Sequence, residues 1–259
     1  MFSFCSLFSG SSGNCLFVQS DDAKILIDCG VSLKKINESL NNFGLTIEEI
    51  DGILITHEHS DHTKALGTIT KKYNVPIYAN FETAHALKDV NLDNFKYFKI
   101  DEDFKIGNLC IKPFSIPHDA ANPCGFSIYN NRKKITIATD VGHMNDYVLE
   151  NLKYSNFLLL ESNYEPEMLK CSSYPFHLKR RIAGPNGHLP NSDAGKTISY
   201  LYNYNLETVF LGHLSKENNI PELAYESVIS ELHNNNIDTS KITVEVASRD
   251  TNSRLIELC

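Results

Sequence analysis

The apolar residues of this chain fall into short runs, and several of these runs end next to a side chain that can bind a metal. KILI (24–27) is followed by Asp28, and ILI (53–55) is followed two residues later by His57. Short runs rich in β-branched residues, bounded by Gly, Asp or Asn, are typical of buried strands. We therefore predict that a strand precedes each of these polar side chains.

The same arrangement recurs farther along the chain. CIKPFSIP leads into His118, KITIAT leads into Asp140, and TVFLG leads into His213. Ligand sites in α/β proteins often lie at the carboxyl ends of strands. If these strands end at one edge of a layered sheet, their terminal side chains meet there.

Helical patterns separate the predicted strands. Residues 63–73 carry apolar side chains at helical spacing, and residues 221–233 begin with Pro221, a residue favoured in the first turn of a helix. The segment 241–258 alternates between apolar and polar residues and is interpreted as two strands around a polar turn. The predicted fold class is therefore mixed α/β (α+β), with more strands than a plain βαβ array.

Composition narrows the classes of protein to consider. Apolar residues make up 42% of the 259 positions and no repeat or linker interrupts them, so residues 1–259 are expected to form a single domain. The net charge of -8 argues against a surface that binds nucleic acid generally but leaves room for a local basic groove.

The expected location follows from the cysteines and from the lack of targeting segments. Seven cysteines without a CxxC pair indicate a reducing compartment. With no basic residue before Lys24 and no apolar run of membrane-spanning length, we expect a cytoplasmic protein with no membrane partner.

The densest cluster of titratable side chains is HEHSDH (57–62), which contains three of the chain's ten histidines. In an extended chain His57 and His59 lie on one face, and Asp61 and His62 follow as the chain turns towards a helix. Burial of these groups without a cation would be costly. Imidazole suits zinc and other late transition metals, whereas carboxylate suits harder cations. The pattern predicts a metal site rather than a solvated turn.

Four motifs together resemble those of the metallo-β-lactamase-fold hydrolases, and in particular the WalJ/YycJ-type subfamily of bacterial cytoplasmic proteins. They are THEHSDH (56–62), SGSSGNC (9–15), LKRRIAGPNGHL (178–189) and LSKENNIPELA (214–224). The resemblance covers nearly the whole chain. It implies a four-layer αββα sandwich with a metal site along one edge of its two sheets.

The resemblance also implies two divalent metal ions per chain, either Zn²⁺ or Mn²⁺ with iron as a further option, and a metal-bound hydroxide as the nucleophile. The implied ligands are His57, His59 and His118 for one ion, Asp61, His62 and His213 for the other, and Asp140 as a bridge. Asp61 is also predicted to be a catalytic residue. Asp28 would support the loop that carries the histidines without binding metal itself.

Several other residues have more than one interpretation. On strand geometry Glu58 points away from the site, which indicates a structural or solvated role. His143 either approaches the metal or substrate, or has a structural or surface role. The stretch 9–15 is interpreted as a tight turn near the metal edge, with contact between its amides and a phosphate as the alternative. Three isolated histidines are expected to be packed core residues rather than ligands: His85, His177 and His233.

The segment 177–196 is the most basic part of the chain. Its adjacent cations, Lys179, Arg180 and Arg181, are candidates for substrate binding through a phosphate backbone, and the alternative is a solvated surface loop. His188 is the candidate proton donor to the leaving oxygen.

Three functions are compatible with these features. The resemblance implies a two-metal phosphodiesterase that acts on DNA as a 5′→3′ exonuclease, and the basic segment fits this function. A hydrolase of a small thioester, lactone or cyclic phosphodiester would use the same metals, and the lack of an added nucleic-acid-binding domain favours it slightly. A redox or non-catalytic protein is disfavoured, because His59 stands where di-iron oxidoreductases of this fold have glutamate and no ligand is missing.

Overall fold

The computed structural model describes residues 1–258, and its strands form two mixed seven-stranded sheets. The first sheet contains β1 (Phe2–Phe8), β2 (Cys15–Ser20), β3 (Lys24–Ile27), β4 (Gly52–Leu54), β5 (Ile77–Asn80), β6 (Phe95–Phe98) and β14 (Ile256–Glu257). The second sheet contains β7 (Phe104–Ile106), β8 (Leu109–Ser115), β9 (Cys124–Asn130), β10 (Lys133–Ala138), β11 (Phe157–Glu161), β12 (Thr208–Gly212) and β13 (Thr243–Val246).

Helices connect the strands and cover both sheets. In chain order they are α1 (Leu33–Asn41), α2 (Ser60–Thr63), α3 (Leu66–Lys72), α4 (Phe81–Ala86), α5 (Asp146–Leu152), α6 (Pro166–Cys171), α7 (Phe176–Ile182), α8 (Asn191–Leu201) and α9 (Pro221–Asn234).

The two sheets follow the same plan of strand pairing. The first has the order β14-β1-β2-β3-β4-β5-β6, antiparallel from β14 to β3 and parallel from β3 to β6. The second has the order β13-β12-β11-β10-β9-β8-β7, parallel from β13 to β10 and antiparallel from β10 to β7. Strands β3 and β4 therefore run in one direction, and β8, β10, β11 and β12 share a direction in the second sheet. Their carboxyl ends form the edge of each sheet at which the predicted ligands lie.

Three apolar clusters separate four layers of structure. Between the sheets, buried aromatic rings interdigitate, and the ring centroids of Phe4 and Phe157 lie 4.3 Å apart. Helices α1, α3 and α4 pack on the outer face of the first sheet through side chains such as Ile69. Helices α5, α8 and α9 pack on the second sheet through side chains such as Val228. The predicted αββα sandwich is confirmed, and burial of each large apolar side chain stabilises it by about 1.5–3 kcal/mol.

The last helix and the last two strands are of the predicted types, but the two strands do not pair with each other. Helix α9 begins at Pro221, as predicted. The segment 241–258 does contain two strands, but β13 pairs with β12 in the second sheet and β14 pairs with β1 in the first. The polar residues between these strands therefore carry the chain from one sheet to the other.

One local prediction is wrong. The isolated histidines do not pack in the core: His85 on α4, His177 on α7 and His233 on α9 are all exposed. Each lies on the solvent-facing side of a helix, where the imidazole keeps its hydration. For the basic segment, the alternative of a surface loop does not hold at its start, because residues 176–182 form helix α7.

Two further findings concern the cysteines and the length of the apolar helices. The cysteines within residues 1–258 are free thiols, in line with the absence of a disulfide framework in the sequence, and Cys259 lies outside the described residues. Over the same range, the structure contains no helix with the length and apolar character needed to span a bilayer.

Candidate metal centre

The carboxyl ends of the strands bring the predicted ligands together. The structure places these side chains in four overlapping groups whose ligand atoms lie within 4.8 Å of one another: His57, His59 and His118; Asp61, His62 and His213; His57, His62 and Asp140; and Asp140, Glu161, His188 and His213. The first two groups coincide with the two predicted ligand sets. Asp140 belongs to both remaining groups, so it lies between the two sets, where a bridging ligand would be.

Backbone geometry at three strand ends directs side chains into this space. Asp28, Asp140 and His213 have φ angles of 61°, 60° and 56°, in the left-handed region. Asp and His enter this region more readily than most residues, yet each such residue costs on the order of 1–3 kcal/mol. The turn takes each side chain out of the strand direction. Local strain at these three positions thus accompanies the convergence of the ligands.

Asp28 supports the histidine loop from beneath. Its carboxylate accepts hydrogen bonds from the Thr56 amide at 2.9 Å, from the Thr56 hydroxyl at 2.9 Å and from His62 Nδ1 at 2.7 Å. The Thr56 hydroxyl also lies 3.0 Å from Nδ1 of His57. Because a carboxylate only accepts, His62 carries a proton on Nδ1 and turns Nε2 towards the centre. These contacts support the role predicted for Asp28.

Glu161, at the end of β11, plays a corresponding part in the second sheet and is absent from the predicted site residues. One oxygen, Oε1, lies 2.8 Å from Nδ1 of His213 and 2.8 Å from Nδ1 of His188. The other, Oε2, accepts the backbone N–H groups of Val141 at 2.6 Å and Leu189 at 3.1 Å. The buried carboxylate therefore fixes two imidazole rings and ties together the loops after β10 and before α8.

The charges of the centre are strongly coupled. Burial opposes a charged His62, but the carboxylates of Asp140 and Asp28 raise its pKa well above the usual value. Burial likewise opposes a charged His213, yet Asp140 and other carboxylates raise its pKa to about 10. Burial and the neighbouring His62 hold the pKa of His57 well below the usual value. Although burial favours its neutral form, the pKa of Asp140 is lowered by His213 and His62.

The donor set fits a divalent cation. Nε2 of His57 is buried and has no hydrogen-bond partner among residues 1–258. His118 Nδ1 lies 3.0 Å from the Gly187 carbonyl oxygen, so it donates there, and its Nε2 faces His59 Nδ1 at 3.3 Å. Unprotonated imidazole nitrogens beside carboxylates are the ligands that zinc and similar ions take in proteins.

The centre opens to solvent on one side. The side chains of Asp61 and His188 are 25% and 19% exposed, whereas those of Asp140 and His213 are 2% and 1% exposed. A substrate would therefore approach the centre past Asp61 and His188.

Comparison with known proteins places the chain in a family. A model of the β-lactamase superfamily domain matches residues 23–213. Exodeoxyribonuclease YycJ of Bacillus anthracis is 37% identical over 229 residues, which cover 87% of each chain. This chain belongs to the β-lactamase superfamily. Exodeoxyribonuclease WalJ of Streptococcus pneumoniae is 34% identical over 237 residues, covering 89% of this chain and 88% of WalJ.

A solved structure supports the same superfamily fold. The metallo-β-lactamase fold protein YhfI from Bacillus subtilis superimposes with a TM-score of 0.71, covering 98% of this chain and 99% of YhfI at 16% identity.

Two other residues considered from the sequence, Glu58 and His143, lie outside the four groups of ligand atoms. Glu58 turns away from the centre, and its Oε1 accepts the N–H of Ala121 at 2.8 Å, which is a structural contact. His143 is exposed, and its Nδ1 donates to the Pro185 carbonyl oxygen at 2.7 Å. For His143 the structural interpretation is thus the one that the geometry favours.

The glycine-serine stretch joins β1 to β2 at the metal edge, as predicted. The Ser9 hydroxyl accepts the backbone N–H of His213 at 3.0 Å. Asn14 Nδ2 lies 3.1 Å from Nε2 of His62. The turn therefore contacts two members of one predicted ligand set, His62 and His213, and helps to fix their positions.

The three adjacent cations of α7 have different surroundings. Lys179 donates to a backbone carbonyl of α6 at 2.7 Å, and Arg181 Nη2 lies 3.1 Å from Asp119 Oδ1. The Arg180 guanidinium lies 5.9 Å from the ring centroid of Phe176, and no carboxylate of the described chain lies within 4.0 Å of it. Among the described residues, Arg180 is therefore the one of the three cations whose side chain has neither a carboxylate nor a backbone hydrogen-bond partner.

Metal binding should release protons. The raised pKa values of His62 and His213 leave both imidazoles protonated at neutral pH in the metal-free protein, and a ligating imidazole must be neutral. At pH 7 we expect the release of about two protons per chain on saturation with Zn²⁺. The part due to His213 should disappear as the pH rises through about 10. Calorimetric titration in two buffers of different ionisation enthalpy measures this release, and a binding heat that is identical in both buffers would contradict it.

Proposed function

We propose that this chain is a metal-dependent exodeoxyribonuclease that hydrolyses phosphodiester bonds of DNA at the edge where the two sheets end. The observation that carries the proposal is the convergence of imidazole and carboxylate ligands around buried Asp140. Family membership supports a metal-dependent hydrolase. The exodeoxyribonucleases YycJ and WalJ, which match nearly nine-tenths of the chain, favour DNA over a small thioester, lactone or cyclic phosphodiester. A 5′→3′ direction, a cytoplasmic location and a single-domain organisation stay predictions.

The proposed centre holds two divalent ions, with zinc and manganese as the leading choices. One set of ligands is His57, His59 and His118, the other is Asp61, His62 and His213, and Asp140 lies between them. When bound, such ions lower the pKa of a water molecule and neutralise charge on the phosphate. Asp61, whose Oδ2 lies 3.4 Å from Nε2 of His213, borders the open side and would orient the attacking water.

His188 is proposed as the proton donor to the leaving oxygen. Its Nδ1 is held by Glu161 at 2.8 Å, and the same ring lies beside His118 with a centroid separation of 5.2 Å. With Nδ1 engaged, Nε2 is the atom from which a proton can pass to substrate. The contact with Glu161 fixes the orientation of the ring, as a positioned general acid requires.

The proposal is tested by Asp140→Ala, compared with wild type on end-labelled single-stranded DNA with Zn²⁺ or Mn²⁺. Loss of residues that merely orient metal ligands costs about 10–100-fold in other metalloenzymes, so loss of a bridging ligand should lower cleavage by at least roughly 100-fold. The matched control is Glu58→Gln, because a glutamine amide oxygen can still accept the Ala121 N–H. A folded Asp140→Ala protein that cleaves DNA like the control would refute the assigned role. An inactive wild type would refute the nuclease proposal.

His188→Ala should slow DNA cleavage by roughly 10²–10⁴-fold, the usual contribution of a positioned general acid. Turnover of bis-p-nitrophenyl phosphate should fall much less, because p-nitrophenolate leaves without a proton. Metal content should stay at the wild-type level if His188 moves protons. An equal loss on both substrates, together with loss of metal, would show that His188 is a ligand instead.

A further inference from the structure

We propose that two exposed aromatic stacks, Phe81 with His85 and Phe176 with Arg180, hold unpaired bases of a single-stranded DNA substrate beside the metal centre. This inference rests on the proposed nuclease function and specifies the form of its substrate. Residues next to the two stacks, Asn80 and Arg181, contact residues 119–122, the loop that directly follows His118.

The first stack stands at the start of α4. The Phe81 ring is 57% exposed and lies 3.9 Å from the His85 ring, with 29° between their planes. His85 Nδ1 donates to the Phe81 carbonyl oxygen at 2.9 Å, which fixes the imidazole in this position. Tyr97, 51% exposed, adds a third ring 5.9 Å from Phe81. Because His85 covers one face of Phe81, the exposed area lies on the opposite face and the ring edge.

Hydrogen bonds join this stack to the metal edge. Buried Asn80, which directly precedes Phe81, donates through Nδ2 to the Asn122 carbonyl oxygen at 2.7 Å. In the same loop, the Ala121 N–H donates to Glu58 at 2.8 Å, and Glu58 lies within the histidine motif. The position of Phe81 is therefore coupled to the residues that carry the ligands.

The second stack approaches the same loop from the side of the second sheet. Phe176, the first residue of α7, is 75% exposed, and the Arg180 guanidinium lies 5.9 Å from its ring centroid. Arg181 anchors α7 to the loop through its contact with Asp119 at 3.1 Å. Arg180 is left to balance a phosphate while Phe176 meets a base.

An unpaired base is the ligand that this combination fits. Stacking on aromatic side chains is open to every base, and the faces of a base in a duplex are already covered by its neighbours. With a net charge of -8, the protein gains little from general attraction to a polyanion. Contacts that do not depend on net charge, such as base stacking, must then contribute much of the affinity.

The absence of tryptophan from the sequence provides a direct test. Phe81→Trp and Phe176→Trp each introduce a single fluorophore into an otherwise intact chain. The control is Tyr154→Trp, since Tyr154 is 63% exposed and precedes β11 at the opposite end of the second sheet. A phosphorothioate oligodeoxynucleotide, which resists hydrolysis, should quench the emission of the two stack variants and leave the control unchanged. An abasic oligomer of equal length and charge should quench none of them.

Alanine substitutions measure how much each ring contributes to the affinity for DNA. Phe81→Ala and Phe176→Ala should each weaken oligodeoxynucleotide binding roughly 5- to 100-fold, and Phe81→Tyr should restore it. If the wild type binds and degrades DNA while the stack variants show no quenching and no loss of affinity, the stacks have no such role and the nuclease proposal stands. Quenching and loss of affinity at only one of the two stacks would overturn the proposal that both of them hold bases. A wild type that neither binds nor cleaves DNA would overturn both proposals.

Discussion

The buried negative charge of Asp140 is the constraint on which the rest of this structure depends. Its carboxylate is 2% exposed and lies 3.2 Å from Nε2 of His62, 3.7 Å from Nε2 of His118 and 3.5 Å from Nε2 of His213. Removal of an ion from water costs several kcal/mol unless opposite charge replaces the lost solvation. Protons on the histidines supply that charge in the metal-free protein, and divalent cations would supply it more strongly. The centre is therefore arranged to take up cations.

Each sheet contributes one buried carboxylate that orients an inward-facing histidine. Asp28 accepts from Nδ1 of His62 in the first sheet, and Glu161 accepts from Nδ1 of His213 in the second. In both cases the proton on Nδ1 leaves Nε2 directed at Asp140. The common plan of the two sheets thus extends from strand pairing to the support of the ligands, and Glu161 additionally holds His188 at the open side.

The sequence was most informative where chemistry was concentrated locally. The segment 57–62 and the apolar runs before His118, Asp140 and His213 were sufficient to predict which metal-capable side chains the structure brings together, whereas their division into two ligand sets came from the family resemblance. Glu161 ends the run FLLLE in the same manner, but its partners His188 and His213 are 27 and 52 residues away, and no local motif connects them.

Other features depended on tertiary contacts that no short pattern records. The exposure of His85 is decided by the side of α4 that packs on the first sheet, not by the spacing of its neighbours. The assignment of β13 and β14 to different sheets depends on pairing with strands distant in the chain. The sequence alone therefore could not predict the exposure of His85 or the sheets to which β13 and β14 belong.

Measurement of the metal content tests the central claim most directly. The proposed centre has one predicted ligand set on each side of Asp140 and would hold two divalent ions, which in two-metal hydrolytic sites lie about 3.5–4 Å apart. Elemental analysis of protein saturated with Zn²⁺ or Mn²⁺ and then freed of unbound metal should give two ions per chain in the wild type and fewer in Asp140→Ala. A reproducible single ion per chain in the wild type, with no increase when more metal is supplied, would contradict this account of the centre.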